Sequence, residues 1–302
     1  MIERHQDYIL QIASLAPGQS LTGTPLILDL DAPFVCRGVG MHMSPGPDRT
    51  QNDLWSCTFR LRNRTGRLLA QQPIQTPAGF WGAIGQNGIY RPVYPQQPYG
   101  AGEAIAIDFE NLSSNTLYNL QFIFRGTKLF ADGTLANPTY PDNARVLDFT
   151  YQTGKGTVPD PSLILATEQT LYQQIFQVKG DADFALRGLQ AGNWTSSGDG
   201  GVYSTNGYTE LYIQLMDAKL KPYSNLPIHI DWLAGNAGGS TLPGFTALGN
   251  AAPGLLMPEI YVPRSNVLFY NLYRNDAAYV SVTDALPVRL AMAWIGSKVY
   301  AQ

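Results

Sequence analysis

The chain has 302 residues, of which 44% are hydrophobic, 11% aromatic and only 14% charged, with 30 glycines and 21 prolines. That apolar fraction excludes a disordered chain, and a charged share well under the roughly 25% of ordinary soluble domains argues against long salt-bridged helices. The net charge of -3 supplies no basic footprint for nucleic acid and no polybasic segment for a membrane, so neither is an expected partner.

At the N-terminus, Met1 to Tyr8 is charged where a secretory leader would be apolar, and no stretch approaches the roughly 18 apolar residues of a membrane span. A chain made in the cytoplasm is therefore expected. Period-two alternation follows at Leu26, Leu28 and Leu30, at Phe59 and Leu61, at Ile105, Ile107 and Phe109, and at Leu120, Phe122 and Phe124. It resumes at Leu211, Ile213 and Leu215, at Ile228, Ile230 and Trp232, and at Val288, Leu290, Met292 and Trp294. Alternation sets one side of a strand on a core and the other in water, which defines half-buried antiparallel strands. Strands separated by long loops rich in Gly, Pro and Ser predict an all-β chain of sandwich architecture.

Three blocks recur in the same order. Ala32-Pro-Phe34-Val-Cys-Arg37-Gly38 returns 150 residues later as Ala182-Asp-Phe184-Ala-Leu-Arg187-Gly188. Phe59, Leu61, Asn63 and Pro73-Ile74 match Ile213, Leu215, Asp217 and Pro227-Ile228 at an offset of 154. Phe124-Arg-Gly126-Thr-Lys128-Leu-Phe130 matches Trp294-Ile-Gly296-Ser-Lys298-Val-Tyr300 at an offset of 170. Growing offsets mean that strands are kept while connections lengthen. The expected organisation is two tandem, internally duplicated jelly-roll-like β-sandwiches, residues 1–130 and 162–302, joined by a Pro/Gly-rich linker or arm over 131–161. Within that arm, Val146 to Tyr151 can pair as a strand with either domain or with a neighbouring chain.

The glycines of Arg37-Gly38 and Arg187-Gly188, with Gly126 and Gly296, sit where bulges or close backbone approach are the usual cause. Lys128 and Lys298 are expected to guard an edge strand or touch a partner. Loops fall at matching places in both units: 39–54 and 189–209, then 75–103 and 231–257. They carry Trp81, Tyr90, Tyr94, Tyr99, Trp194, Tyr203, Tyr208 and Phe245, a composition suited to protein recognition or sugar stacking. The candidate interface residues are accordingly Trp81, Tyr90, Trp194, Tyr203 and Tyr208 from the loops, with Val146, Phe149 and Tyr151 from the arm.

Chemistry is harder to find. Cys36, Cys57, His5, His42 and His229 lie far apart in sequence, which gives no zinc spacing, and the thiols are expected to be free and buried. No Gly-x-Ser-x-Gly elbow is present, and the best glycine run, Gly192 to Gly201, leads into strand-like sequence rather than a helix. The carboxylate pairs Asp29/Asp31 and Asp181/Asp183 read as turn or strand-end caps beside the first repeated block rather than as a glycosidase pair. No catalytic residue, cofactor or metal is expected.

The alternating strand reaching Asp181-Ala-Asp-Phe184-Ala-Leu-Arg187-Gly188, the strand running through a polar turn to Pro-Ile, and the closing strand ending in Gly-x-Lys resemble virion structural proteins of tailed bacteriophages. Two tandem sandwiches also resemble double jelly-roll viral capsid proteins. The resemblance implies a non-enzymatic head decoration, cement or accessory protein, homo-oligomeric or bound to capsid proteins through loops and arm, located in the virion and assembled in the host cytoplasm. The alternatives are a carbohydrate- or receptor-binding tail or spike module and a double jelly-roll major capsid protein.

Overall fold

The structure, a computed structural model, describes residues 2–44, 57–62, 74–76, 91–112, 114, 116–131, 145–153, 164–166, 169–195, 211–230, 234–236, 254–274 and 288–300. Every element these residues form is a β-strand. They belong to two compact units, residues 1–85 with 89–136, and residues 86–88 with 137–302.

In the first unit the strands are β1 (Ile2–Leu15), β2 (Ser20–Ile27), β3 (Phe34–Ser44), β4 (Cys57–Arg62), β5 (Ile74–Thr76), β6 (Arg91–Tyr99), β7 (Ala104–Asn111) and β8 (Leu117–Phe130). Two sheets result, ordered β1-β8-β3-β6 and β2-β7-β4-β5. The antiparallel pairs β1·β8, β2·β7, β3·β6 and β4·β5 are those of one long hairpin that turns between β4 and β5. The hairpin is wrapped so that successive pairs alternate between the sheets. Apolar residues from both sheets meet in one core, where Phe109 of β7 packs edge-on to Phe122 of β8 at 5.1 Å between centroids. Burying each such ring contributes roughly 1.5–3 kcal/mol, which is what holds two half-apolar sheets face to face.

The second unit repeats the winding with β9 (Arg145–Thr153), β10 (Ile164–Leu165), β11 (Thr170–Gln177), β12 (Asp183–Thr195), β13 (Leu211–Met216), β14 (Ile228–His229), β15 (Ala234–Asn236), β16 (Gly254–Val262), β17 (Val267–Arg274) and β18 (Val288–Tyr300). Here β9 and β10 both pair with β18, β11 with β17, β12 with β16 and β13 with β14. β15 is an addition that runs parallel to β12. In this core Phe176 of β11 stacks on Trp294 of β18 at 4.4 Å, and Tyr270 of β17 lies 5.2 Å from the same indole.

Of the pairings open to the arm in sequence, the structure shows the one with the second domain. Residues 145–153 bond along residues 292–300 in continuous antiparallel register, so this piece of the supposed linker is a strand of the second sandwich. It takes there the position that β1 takes in the first. Several supposed loops also carry strands: β3 runs to Ser44, β12 to Thr195, and β6 occupies 91–99. Tyr99, read as a loop aromatic, is a core residue at the end of β6.

Candidate functional site

Both units repeat one constellation at the same register. Phe34 lies opposite Lys128 and Cys36 opposite Gly126, with a bulge between Cys36 and Gly38; Phe184 lies opposite Lys298 and Leu186 opposite Gly296, with a bulge between Leu186 and Gly188. Tyr8 packs edge-on to Phe34 at 4.9 Å, and Tyr151 packs edge-on to Phe184 at 5.0 Å. The Lys128 ammonium sits 5.6 Å from the Tyr8 ring centroid and that of Lys298 5.7 Å from the Tyr151 ring. A Cβ on Gly126 would stand 2.1 Å from the Val35 carbonyl oxygen, and one on Gly296 2.1 Å from that of Ala185. Glycine is required at both positions by close approach of the neighbouring strand.

The two lysines do not guard edges, because β8 and β18 each pair with strands on both sides. Lys128 donates to Asp29 and, at 2.7 Å, to Asp31; Lys298 donates to Asp181 at 2.5 Å. That hydrogen bond lowers the Asp181 carboxyl below its usual value and raises the Lys298 ammonium. The Tyr8 hydroxyl accepts the Asp29 N–H, and the Tyr151 hydroxyl accepts the Lys179 N–H. The turn before β3 is thus tied to β8, and the turn before β12 to β18, by an ammonium whose stem is buried and whose head reaches the carboxylates at the rim. Asp183, the remaining member of the carboxylate pairs, accepts from Tyr261 Oη at 2.5 Å and from the Arg264 N–H at 2.8 Å. The carboxylates therefore act as caps and ion-pair partners.

On the outward side of the first unit's β1-β8 pair lies a group of polar side chains that periodicity did not single out. His5, Asp7, Ile9, Gln121, Ile123, Arg125 and Thr127 are each at most 2% exposed. Arg125 grips Asp7 with two hydrogen bonds, Nε to Oδ1 at 2.9 Å and Nη2 to Oδ2 at 2.7 Å, and His5 Nε2 lies 3.2 Å from the same carboxylate. Burial alone would raise the Asp7 carboxyl, but the Arg125 guanidinium and His5 outweigh it and hold the group well below the usual carboxylate range. The cluster is closed to substrate. Burial likewise pushes the Cys36 thiol up to about 12, so this cysteine is no nucleophile at neutral pH.

The second sheets diverge between the units on their outward faces. β17 presents Phe269, Asn271 and Tyr273 at the positions where β7 has Ala106, Asp108 and Glu110. Both sheets carry an irregularity on the edge strand, capped alike: the Gly23 N–H donates to Asp108 at 2.8 Å and the Gln173 N–H to Asn271 at 2.8 Å. Gly23 has φ +60 and Gln173 φ +50, a conformation natural to glycine that costs other residues roughly 1–2 kcal/mol. Beside Gln173, Tyr172 is exposed and meets Tyr273 edge-on at 6.0 Å. Sequence reasoning missed this aromatic pair because it lies on strands, whereas recognition aromatics were sought in loops.

Of the eight candidate interface residues, Trp81, Tyr90, Tyr203 and Tyr208 lie outside the described residues. Trp194 lies on β12 in register with Arg289. Val146, Phe149 and Tyr151 share β9, where Val146 is exposed while Phe149 and Tyr151 pack edge-on to each other at 4.8 Å. The Lys298 ammonium stands 4.2 Å from the Phe149 ring centroid. The two arm aromatics therefore serve their own sandwich. Among the described residues, no group of three His, Cys, Asp or Glu could hold a metal ion.

No protein-family model matches the sequence, and no curated protein matches it at a significant level. Among solved structures, the chain is similar to PNGase F, a glycosylasparaginase from Flavobacterium meningosepticum, at 10% identity and a TM-score of 0.24 over 95% of each chain. It is similar to the tandem CBM22-1-CBM22-2 domains of Paenibacillus barcinonensis Xyn10C at 10% identity and a TM-score of 0.19, over 99% of this chain and 93% of that one. It is also similar to the infectious bursal disease virus Gt strain structure at 11% identity and a TM-score of 0.20, over 99% and 78%. At such identities and scores these likenesses carry no argument about activity.

Proposed function

We propose that the chain is a non-enzymatic virion structural protein whose two units are jelly rolls in the wall of a particle. The observation that carries this reading is the strand pairing β1·β8, β2·β7, β3·β6 and β4·β5 together with its repetition in the second unit. Such winding sets two antiparallel sheets face to face, the double-sheet architecture that viral capsid domains use. Two such domains in one chain supply two wall elements per copy. Among the described residues, titratable groups that lie close together are ion-paired, as Lys128 is with Asp29 and Asp31 and Asp7 with Arg125, which favours architecture over turnover.

A wall protein is preferred here to a head decoration or cement protein of a tailed bacteriophage because both units have the complete winding, rather than one being an appendage of the other. Quantitative mass spectrometry of purified particles tests the reading. A copy number rivalling or exceeding that of any other particle protein is expected; absence from particles, or a handful of copies, would overturn it. A hydrolase panel on the purified chain tests the non-enzymatic part, for which turnover lost on a single carboxylate substitution is the contrary result.

A second reading, carbohydrate or receptor binding, is favoured by one observation: the exposed Tyr172 beside Tyr273, with the Gln173 and Asn271 amides close by. Glycan-array binding that disappears in Tyr172→Ala would establish it in place of the wall reading.

A further inference from the structure

We propose that Lys128 and Asp29 join in an amide bond inside the first unit, formed once by the folded chain itself with loss of one water. The ion pair between them is the precursor of this covalent tie. Such a bond fastens the unit to itself, whatever the copies of the chain assemble into.

Position comes first. Lys128 lies on β8 with its side chain 1% exposed, while Asp29 and Asp31 lie on the turn between β2 and β3 with side chains 50% and 35% exposed. The ammonium donates to both carboxylates, at 2.7 Å in the case of Asp31. A nitrogen within hydrogen-bond reach of a carboxylate oxygen stands about 3–3.5 Å from the carboxyl carbon, the separation of a near-attack pair. Backbone bonds hold that approach. Asp29 donates its N–H to Tyr8 Oη at 3.1 Å and accepts from the Gly102 N–H at 3.0 Å, and the Leu129 N–H donates to the Pro33 carbonyl at 2.9 Å. The turn is thus pinned to the strand that carries the lysine. Groups fixed in this way react as though at effective concentrations of roughly 10⁵–10⁸ M, a regime in which amide formation competes with hydrolysis even in water.

The step balances without a co-reactant. Within the hydrogen bond the Lys128 ammonium gives a proton to the Asp29 carboxylate, leaving an amine and a carboxylic acid. The amine lone pair then forms the Nζ–Cγ bond. Asp31 takes a second proton from the nitrogen and returns it to the departing hydroxyl, so that a Cγ–O bond breaks and water leaves. Nothing is oxidised or reduced, and Asp31 ends as the carboxylate it was at the start. The carboxylates are open on the solvent side, which gives the water its exit.

The second unit supplies the contrast. Lys298 stands at the register of Lys128, and Asp181, bonded to it at 2.5 Å, at the place of Asp31. The place of Asp29 is taken by Lys179, whose N–H bonds Tyr151 Oη as that of Asp29 bonds Tyr8 Oη. One carboxylate cannot be both the acyl group and the proton relay. Lys298 therefore stays an ammonium paired with Asp181, and the paired carboxylates of the first unit are what set its lysine apart.

Intact-mass measurement on the full-length chain, denatured after folding, tests this directly. Wild type should be lighter than its sequence by one water, and proteolysis should release a branched peptide joining the segments around Asp29 and Lys128. Asp29→Ala should have the full sequence mass, and Asp181→Asn, in the other unit, should lose the same single water as wild type. Asp31→Asn should slow the loss about 100-fold or more; loss at the wild-type rate would overturn the relay. A wild-type chain of full sequence mass after days of incubation in the folded state would overturn the amide, whatever the variants do. A missing water mapped to a linear peptide, the mark of an aspartyl succinimide, or to Lys298, would overturn it as well. The mass is read on the single chain and the wall reading on copy number in particles, so either can fail without the other.

Discussion

Two glycines and one ion pair hold most of what can be tested residue by residue. Gly126→Ala and Gly296→Ala each drive a methyl group into a carbonyl oxygen and the flank of a phenylalanine ring. Backbone must move, so each should cost roughly 1–3 kcal/mol in chemical denaturation, with Gly296→Ala acting on the second unit alone. At the buried pair, Arg125→Ile leaves the Asp7 carboxylate without its main partner, and Asp7→Thr removes the acceptor of the guanidinium hydrogen bonds from Nε and Nη2; either should cost about 3–5 kcal/mol. The double variant Asp7→Thr/Arg125→Ile copies the uncharged Thr150 and Ile295 of the other unit and should cost less than either single change, a coupling that a double-mutant cycle measures. Asp7 also sets a pH dependence. Its folded-state value lies below the ordinary one, so its contribution is complete at neutral pH and is withdrawn as pH falls below about 4. The stability gap between the double variant and wild type should therefore narrow in acid.

Among the elements, the strand at 145–153 changes the account most. A segment bounded by Asn137-Pro138, Tyr140-Pro141 and Gly154-Lys-Gly156 reads as a linker or arm able to pair with either domain or with a neighbouring chain, because proline and glycine at that density end any regular period. Yet Tyr151 fills the place of Tyr8, against Phe184 as Tyr8 is against Phe34. Deleting residues 145–153 should therefore unfold the second unit and leave the first intact, which limited proteolysis would detect. A peptide of that sequence added in trans should restore protection, while intact second-unit folding without it would refute the assignment. The first strand escaped sequence reading for the opposite reason. Ile2–Leu15 alternates poorly because Arg4, His5, Gln6 and Asp7 are all buried, so burial does not follow polarity there. By contrast β7 alternates as a half-buried strand should, while β8 and β13 alternate in sequence but are buried on both faces, so the core positions from Ile105 to Trp294 were legible and the burial of the opposite faces was not. The glycines were legible too, since an isolated Gly within a strand pattern points to a bulge or close approach.

At the scale of the whole molecule, Phe34 with Phe184 and Gly126 with Gly296 occupy equivalent positions in the two windings. The repeat reaches further than the three blocks of the sequence: it includes the first strand, the capped irregularity at Gly23 and Gln173, and the lysine–aspartate tie. What could not be read was which face of each sandwich is covered, since that depends on contacts far apart in sequence rather than on any local period. The aromatic loops drew the functional reading toward Trp81 and Tyr203, whereas the repeated strand pairing now carries it. A particle wall built of paired jelly rolls is the central claim, and a cryo-EM reconstruction of purified particles at side-chain resolution addresses it directly. It should trace this chain around the shell, with both sandwiches of every copy in the wall. Density for the chain at one vertex or on the tail alone, or a shell built without it, would contradict the account.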